Sequence, residues 1–185
     1  MKTSTKENLL AVDLELIARL KQAGSWCGET HVQKSMYLLS VIDESNLDYD
    51  FIIYKHGPFS FDFRDDLTIL QSIGAIKLKS TIPGYGPSFE IHPIADAFRE
   101  KNKDFIKKYN KAIDYISTKF GNSDVKYLEK ITTAIFITKD SPNETEASRA
   151  KKMNELKPHI PLKECEGAMR SAQIYTEEMR KVKIS

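Results

Sequence analysis

The four histidines are the side chains of this chain best suited to acid–base or metal chemistry near neutral pH. They are His31, His56, His92 and His159. None has a catalytic or metal-binding companion at a useful spacing, and the sequence contains no HExxH zinc motif, no glycine-rich phosphate loop and no serine nucleophile elbow. We therefore expect a protein that is not an enzyme and that has no cofactor and no metal site.

The segment from Tyr54 to Ser60, here called the elbow, is the most informative stretch of the sequence. Gly57 frees the backbone, Pro58 fixes its own φ, and the hydroxyl of Ser60 can cap a following helix. His56 lies in this turn, where a local hydrogen bond or exposure to solvent is the usual outcome. A pocket lined by the elbow at His56 and Tyr54 would instead favour a small-molecule sensor or an enzyme.

The composition is that of a globular protein with a substantial core. The 185 residues are 41% hydrophobic and 10% aromatic, enough for one compact body. A net charge of +2 is too small to indicate a nucleic-acid partner, because phosphate binding needs a local basic face. Cys27 and Cys165 lie far apart and outside any CxxC pair, so they predict buried thiols.

Helical periodicity and capping residues predict the elements before the elbow. A first helix runs from Ser4 or Thr5 to Gly24. A second helix begins at Thr30, with capping-box spacing to Gln33, and a short apolar strand follows at residues 51–54. Within the second helix, Lys34 is expected to lay its apolar stem on the core, with a functional cation as the alternative.

After the elbow, residues 61–73 predict a helix that ends at Gly74, and residues 76–79 and 89–91 predict a β-hairpin. Helix, helix, strand, helix, hairpin is the order of a winged helix-turn-helix. We expect an α+β fold, mostly α-helical, with a winged-helix-like module over residues 1–95.

Residues 96–185 predict a helical extension that packs on this module. One long helix runs through Phe98 and Ile116, and Ser141-Pro142-Asn143-Glu144 has the residues of a helix start. The last helix follows Pro161 and carries a long apolar stripe, which packs within the chain or forms a homodimer. No apolar run approaches the ~20 residues of a membrane span, so we expect a cytoplasmic protein with no membrane contact.

Several of these positions together resemble the Panacea domain, a family that includes SocA-like antitoxins and shades into YwgA-like proteins. The resemblance covers roughly residues 8–95. It implies a prokaryotic or phage-borne protein that neutralises a toxin by binding it, or that delivers a client to a protease, and it brings no catalytic residues. The positions that carry it are Gln33-Lys34, Tyr37-Leu38-Leu39, Tyr54, Gly57-Pro58-Phe59-Ser60, Leu67, Leu70, Gly74 and Ile76.

A winged helix also suggests DNA binding, in which the helix after the elbow would enter the major groove. That helix begins with three aspartates and one arginine, a charge that opposes phosphate contact. The alternative of a DNA-binding regulator depends on basic residues elsewhere. These are Lys77, Lys79, Arg99, Lys101, Lys103, Lys107, Lys108 and Lys111.

The acidic helix therefore favours a protein partner, a toxin or a protease-delivered client, with nucleic acid as the less favoured alternative. Aromatic side chains would anchor the partner and carboxylates would steer a basic surface towards it. We predict that these contacts come from Tyr54, His56, Phe61, Asp62, Asp65, Asp66 and Tyr85.

Overall fold

The first helix, α1 (Lys6–Gln22), is apolar around most of its circumference and is buried along most of its length. The computed structural model of the chain describes residues 5–43, 47–80 and 86–182. Thr5 is the N-cap of α1, and its hydroxyl accepts a hydrogen bond from the N–H of Asn8 (3.3 Å). The helix ends before Gly24, whose φ of +87° is left-handed, as the sequence predicts. The alternative start at Ser4 lies outside the described residues.

The described part of the chain is mostly helical, with two small antiparallel hairpins, which confirms the predicted class of a mostly α-helical α+β fold. None of its helices is both long and apolar enough to cross a membrane. After α1, the elements in chain order are α2 (Glu29–Ile42), β1 (Ile52–Tyr54), β2 (Gly57–Phe59), α3 (Phe61–Ser72), β3 (Ile76–Lys79), β4 (Ser88–Ile91), α4 (Ile94–Lys101), α5 (Lys103–Phe120), α6 (Val125–Asp140), α7 (Glu146–Leu156) and α8 (Leu162–Lys181).

The predicted capping box at Thr30 and Gln33 is wrong. Helix α2 begins one residue earlier, with Gly28 as its N-cap and no side-chain cap. The Gln33 amide is buried, where it donates to the carbonyl of Ser60 (3.0 Å) and accepts from the N–H of Ser60 (3.0 Å). A buried main-chain pair needs such partners, so Gln33 serves the elbow rather than its own helix.

The elbow folds as a hairpin rather than as a simple turn. Strands β1 and β2 pair antiparallel, with Ile52 opposite Phe59 and Tyr54 opposite Gly57. Gly57 has φ +91°, the conformation of a glycine that closes a tight hairpin turn. The helix after it is as predicted: α3 starts behind Ser60, whose hydroxyl accepts from the N–H of Phe63 (3.2 Å).

The second hairpin, β3–β4, confirms the predicted pairing of residues 76–79 with a strand around 89–91. Ile76 lies opposite Ile91 and Lys79 opposite Ser88. The segment between α1 and α2 joins its edge, because Gly28 bridges to Ser88. Gly74, with φ +75°, separates α3 from β3.

The C-terminal helices depart from the prediction at two places. The single long helix expected through Phe98 and Ile116 is divided at Asn102 into α4 and α5. The predicted start at Ser141 is wrong, since Ser141 ends α6 and the hydroxyl of Thr145 caps α7. Glu144, expected in a first turn, bonds Ser148 and Lys152 instead.

The apolar stripe of α8 packs within the chain. Helix α8 lies against α6 and α7, and its inward residues are buried. The stripe that made a homodimer conceivable is therefore largely used inside the protomer. Its buried members are Cys165, Ala168, Met169, Ala172 and Met179.

Candidate functional site: a clamped hairpin and its aromatic surface

Three exposed apolar side chains and one half-buried ring lie together on the β1–β2 hairpin and the start of α3, and we call these four residues the aromatic surface. Ile52, Tyr54 and Phe61 are 49%, 44% and 50% exposed, and Phe59 is half-buried. Ring centroids lie 5.5 Å apart for Tyr54 and Phe59, and 5.0 Å apart for Phe59 and Phe61. Contiguous exposed apolar groups of this kind mark interaction sites more often than single ones do.

Lys34, on α2, hydrogen-bonds to the backbone of this hairpin. Its side chain runs inward from α2 and its ammonium donates to the carbonyl of Pro58 (2.8 Å), in the middle of β2. The residue is 1% exposed. Burial lowers the pKa of Lys34 to about 8, while the charge of Glu129 acts to raise it. The core-packed stem expected for Lys34 is present, and the head group has a structural task as well.

Lys157 holds the tip of the same hairpin from the other end of the sequence. Its ammonium donates to the carbonyls of Tyr54 (2.8 Å) and Lys55 (2.5 Å) and pairs with Oε1 of Glu129 (3.1 Å). Lys157 is 3% and Glu129 6% exposed. Removing two charges from water is costly, so this ion pair is weak evidence for stability and better evidence for a fixed geometry.

Gly57 is required where the hairpin meets α6. A Cβ at this position would lie 2.7 Å from Oγ1 of Thr133 and 3.4 Å from Cε of Lys34. The positive φ disfavours any other residue independently. The sequence identified the turn, but only the fold shows that it presses against a helix more than seventy residues away.

Two of the four histidines gain an acidic neighbour that the sequence did not reveal. Nδ1 of His56 lies 3.8 Å from Oε2 of Glu129, and Nε2 of His159 lies 3.7 Å from its Oε1. Both imidazoles are largely exposed. Their spacing along the chain gave no signal, because the β1–β2 turn and the α7–α8 connection converge on α6 only in the fold.

The other two histidines lie elsewhere. His31 is buried, its Nδ1 lies 3.2 Å from the hydroxyl of Ser25, and burial lowers its pKa to about 4. His92 is exposed after β4. Across residues 5–43, 47–80 and 86–182, no group of three or more His, Cys, Asp or Glu side chains is placed to hold a metal ion.

The predicted partner-binding residues divide into three groups. Tyr54, Phe61, Asp62 and Asp65 are exposed on the hairpin and on α3, and His56 is exposed at the hairpin turn. Tyr85 lies outside the described residues. Asp66 is a correction: it is fully buried and cannot face a partner. Ile52 and Phe59 were missed, although their alternation with Ile53 and Pro58 could have indicated one outward face.

Asp66 belongs to a buried polar cluster with Asp13 and Tyr49. The Tyr49 hydroxyl lies 2.7 Å from Oδ2 of Asp66 and 2.9 Å from Oδ2 of Asp13, and Lys6 pairs with Oδ1 of Asp66. The Tyr49 hydroxyl has a single hydrogen, so it can donate to only one of these two carboxylates at a time. Burial, and then the charge of Asp66, raise the pKa of Asp13 well above its usual value, which favours the protonated form of this carboxyl.

Four of the eight predicted basic residues form ion pairs. Arg99 binds Glu15 with Nε (2.8 Å) and Nη2 (2.5 Å), which makes it an internal bridge rather than a free surface cation. Three lysines pair with nearby glutamates: Lys79 with Glu90, Lys101 with Glu7 and Lys103 with Glu100. The exposed members for which the described residues offer no ion pair are Lys77, Lys107, Lys108 and Lys111.

A large open cleft, which the sequence did not indicate, lies along α3. Its volume is about 1190 Å³, and its walls come from the α1–α2 connection, α3, the β3–β4 hairpin and the α5–α6 connection. The walls mix apolar and polar groups. They include Trp26, His31, Thr68, Leu78, Phe89 and Lys126.

No protein-family model and no curated protein matches this chain. The function is therefore argued from the geometry above and from the sequence pattern.

Proposed function

We propose that this protein is a non-catalytic binding factor, antitoxin-like or adaptor-like, that sequesters a partner protein on its aromatic surface. It would act in the cytoplasm of a prokaryote, in a host or phage conflict system. The observation that carries this proposal is the contiguous exposed group of Ile52, Tyr54, Phe59 and Phe61 on a hairpin fixed by buried polar bonds. Aromatic side chains in such a setting are typical binding hot spots.

The clamp supports binding because it removes a cost of association. A loop that orders only on contact loses conformational freedom at that moment, whereas a fixed surface does not. Lys34 and Lys157 each give a buried ammonium to main-chain carbonyls of this one hairpin. Such expensive bonds suit a surface that must keep its shape.

The surrounding charge favours a basic protein partner over DNA. Asp62 and Asp65 are exposed beside Phe61, at the end of α3 that a DNA-reading helix would present to base edges. Arg64, between them, already lies 3.4 Å from Glu29. Carboxylates around an aromatic centre attract a cationic protein surface and repel phosphate.

The Panacea resemblance supports the antitoxin class in a specific way. The positions that carry it make contacts with one another: Gln33 bonds Ser60, and Lys34 bonds Pro58. Motif residues that contact one another around one hairpin give stronger support than the same residue types without such contacts. The Gly28–Ser88 bridge, which attaches the α1–α2 segment to the β3–β4 hairpin, supports a winged-helix-like module over the first 95 residues.

The decisive experiment compares two matched double variants in pull-downs from the native host, with and without nuclease. Tyr54→Ser with Phe61→Ser removes two exposed side chains of the aromatic surface. Ile94→Ser with Ile174→Ser removes two side chains that are similarly exposed, 52% and 55%, on α4 and α8. We expect one stoichiometric, nuclease-resistant protein with the wild type and the control, and its loss with the aromatic variant.

Equal capture by both variants would reject the aromatic surface as the binding site. Recovery of nucleic acid, or of proteins released by nuclease, would favour the DNA-binding regulator instead. In that case the contacts would come from Lys77, Lys107, Lys108 and Lys111, and binding to duplex DNA would weaken steeply with salt.

A further inference from the structure

A small pocket lies beside the aromatic surface, between the start of α2 and the β1–β2 turn, and we propose that it binds an oxyanion, a carboxylate or phosphate group. Its volume is about 170 Å³, which suits one such group and is too small for a typical drug-sized ligand. Lys34 forms part of its wall, and Tyr54 and Phe59, which belong to the aromatic surface, also line it.

The ammonium of Lys34 has more hydrogen-bond donors than it has partners in the described part of the chain. An ammonium has three donors, and Lys34 makes one hydrogen bond within the described part of the chain, to Pro58. No carboxylate oxygen there comes within 4.0 Å of it, and Glu129, whose charge acts on Lys34 from farther away, is paired with Lys157. Buried charges are normally paired, so a buried ammonium in the wall of a pocket with no carboxylate in contact favours an anion.

The charge of the rim also favours an anion. Lys55, His56 and Arg64 also line the pocket, against a single carboxylate from Glu29. Glu29 already lies 3.4 Å from Arg64 and so neutralises one cation only. The charge left over is positive, in contrast to the exposed aspartates Asp62 and Asp65 in the first two turns of α3.

The backbone at the start of α2 adds a smaller contribution. Glu29 and Thr30, the first two residues of this 14-residue helix, line the pocket, and Gly28 offers no side-chain cap. The first main-chain N–H groups of a helix attract anions in addition to any side-chain charge. Lys34, the cations of the rim and the start of α2 therefore line the same pocket.

The test is a titration of the full chain with inorganic phosphate and, separately, with acetate, at constant ionic strength. Binding is measured by the chemical shifts of the amide resonances of Thr30 and His56. The rim variant Lys55→Gln with Arg64→Gln removes two exposed cations at the pocket. Lys107→Gln with Lys111→Gln removes the same charge from α5. We expect saturable shifts that weaken about tenfold in the rim variant, a loss of about 1.4 kcal/mol in binding free energy, and stay unchanged in the control.

Lys34→Met, which keeps the apolar stem, should abolish the shifts, and the rim variant decides the matter if that protein does not fold. Shifts that do not saturate, or that weaken equally in the rim variant and the control, would overturn the proposal. The two sources of anion are separated by adding saturating phosphate to a captured partner. Release indicates an acidic group of the partner, and retention indicates a free anion. The titration needs no partner, so it can succeed even if the proposed function fails.

Discussion

The two hairpins of this protein are held by opposite means. The β1–β2 hairpin rests on side chains from distant helices and loops, through the buried bonds of Gln33, Lys34 and Lys157. The β3–β4 hairpin is tied to the described body mostly by main-chain bonds, from Phe89 to Cys27 and from Ala75, just before β3, to Leu70, and three of the four β3 side chains are exposed. Costly buried polar contacts are thus concentrated under the hairpin that carries the aromatic surface.

This contrast separates a surface that must keep its shape from one that need only stay attached. Main-chain pairing holds two strands together but does not fix a hairpin against its neighbours. The buried ammonium of Lys157 bonds two carbonyls of the β1–β2 hairpin and pairs with Glu129 on α6, so it fixes the hairpin against that helix. We therefore expect similar substitutions in the two hairpins to lower the free energy of unfolding by very different amounts.

The largest effect is expected from Lys157→Met. This change leaves Glu129 buried without its ammonium and the carbonyls of Tyr54 and Lys55 without their donor. We expect a loss of about 3–5 kcal/mol in the free energy of unfolding, the usual result of breaking a buried pair. Chemical denaturation measures it.

The matched control for that prediction is Lys79→Met in β3. Lys79 pairs with Glu90 at 3.0 Å on the surface, where ion pairs contribute about 0–1 kcal/mol. Similar losses for the two lysine variants would mean that the hairpins are held equally and would remove the contrast.

A second pair of variants compares the glycines, Gly57→Ala and Gly74→Ala. Both glycines have positive φ, so each alanine costs about 1–2 kcal/mol in backbone strain. Only Gly57 also meets a neighbour, Thr133, whereas nothing lies within 4 Å of a Cβ at Gly74. Overpacking adds about 1–3 kcal/mol at Gly57, measured by the same unfolding experiment.

Thr133→Ala tests the cause of that difference. It removes the hydroxyl that a Cβ at Gly57 would strike, so the double variant should recover part of the extra loss. A double variant no more stable than Gly57→Ala alone would show that strain, and not contact with α6, sets the requirement for glycine.

The buried cluster under α3 predicts an effect that depends on pH. The pKa of Asp13 is raised in the folded protein, so folding is favoured most when this carboxyl is protonated in both states. Stability is then lost as pH rises above the usual value near 3.8, by about 1.4 kcal/mol per pH unit until the folded pKa is reached. Asp13→Asn keeps the shape of the side chain but cannot titrate, so it should flatten this slope.

Thermal or chemical unfolding at pH 5 and pH 8 measures the effect. Asp65→Asn, an exposed neighbour of Asp66 on α3, is the control and should leave the slope as it is. An unchanged slope in Asp13→Asn would show that another group, and not Asp13, causes the pH dependence.

Local sequence signals predicted the elements well where their cause is local. The start of α3 at Ser60, its end at Gly74 and the pairing of β3 with β4 all follow from capping, left-handed glycine and alternation. The errors fall where a polar side chain has a distant partner. Gln33 could have capped its own helix, but it bonds Ser60, and Ser141 could have started a helix but ends one.

The site was predictable in part for the same reason. Tyr54, Phe61, Asp62 and Asp65 were found because the elbow and the helix after it are contiguous in sequence. Lys157 and Glu129 were missed because no pattern along the chain connects them with residues 54–58. Asp66 was misplaced because three neighbouring aspartates look alike until helix α3 turns one of them inward.

The smallest effect on stability is expected where the effect on binding is greatest. Phe61 is half exposed, and its ring meets Tyr54 and Phe59 edge-on, so Phe61→Ser should cost only about 0.5–1.5 kcal/mol. Leu78→Ser, at 49% exposure in β3, is its counterpart on the other hairpin and should cost a similarly small amount. Unfolding curves of the two variants should therefore nearly coincide, while only Phe61→Ser loses the captured partner. If Leu78→Ser alone loses it, the binding surface is the open cleft and the β3–β4 hairpin. The clamp under β1–β2 would then serve the fold rather than the partner.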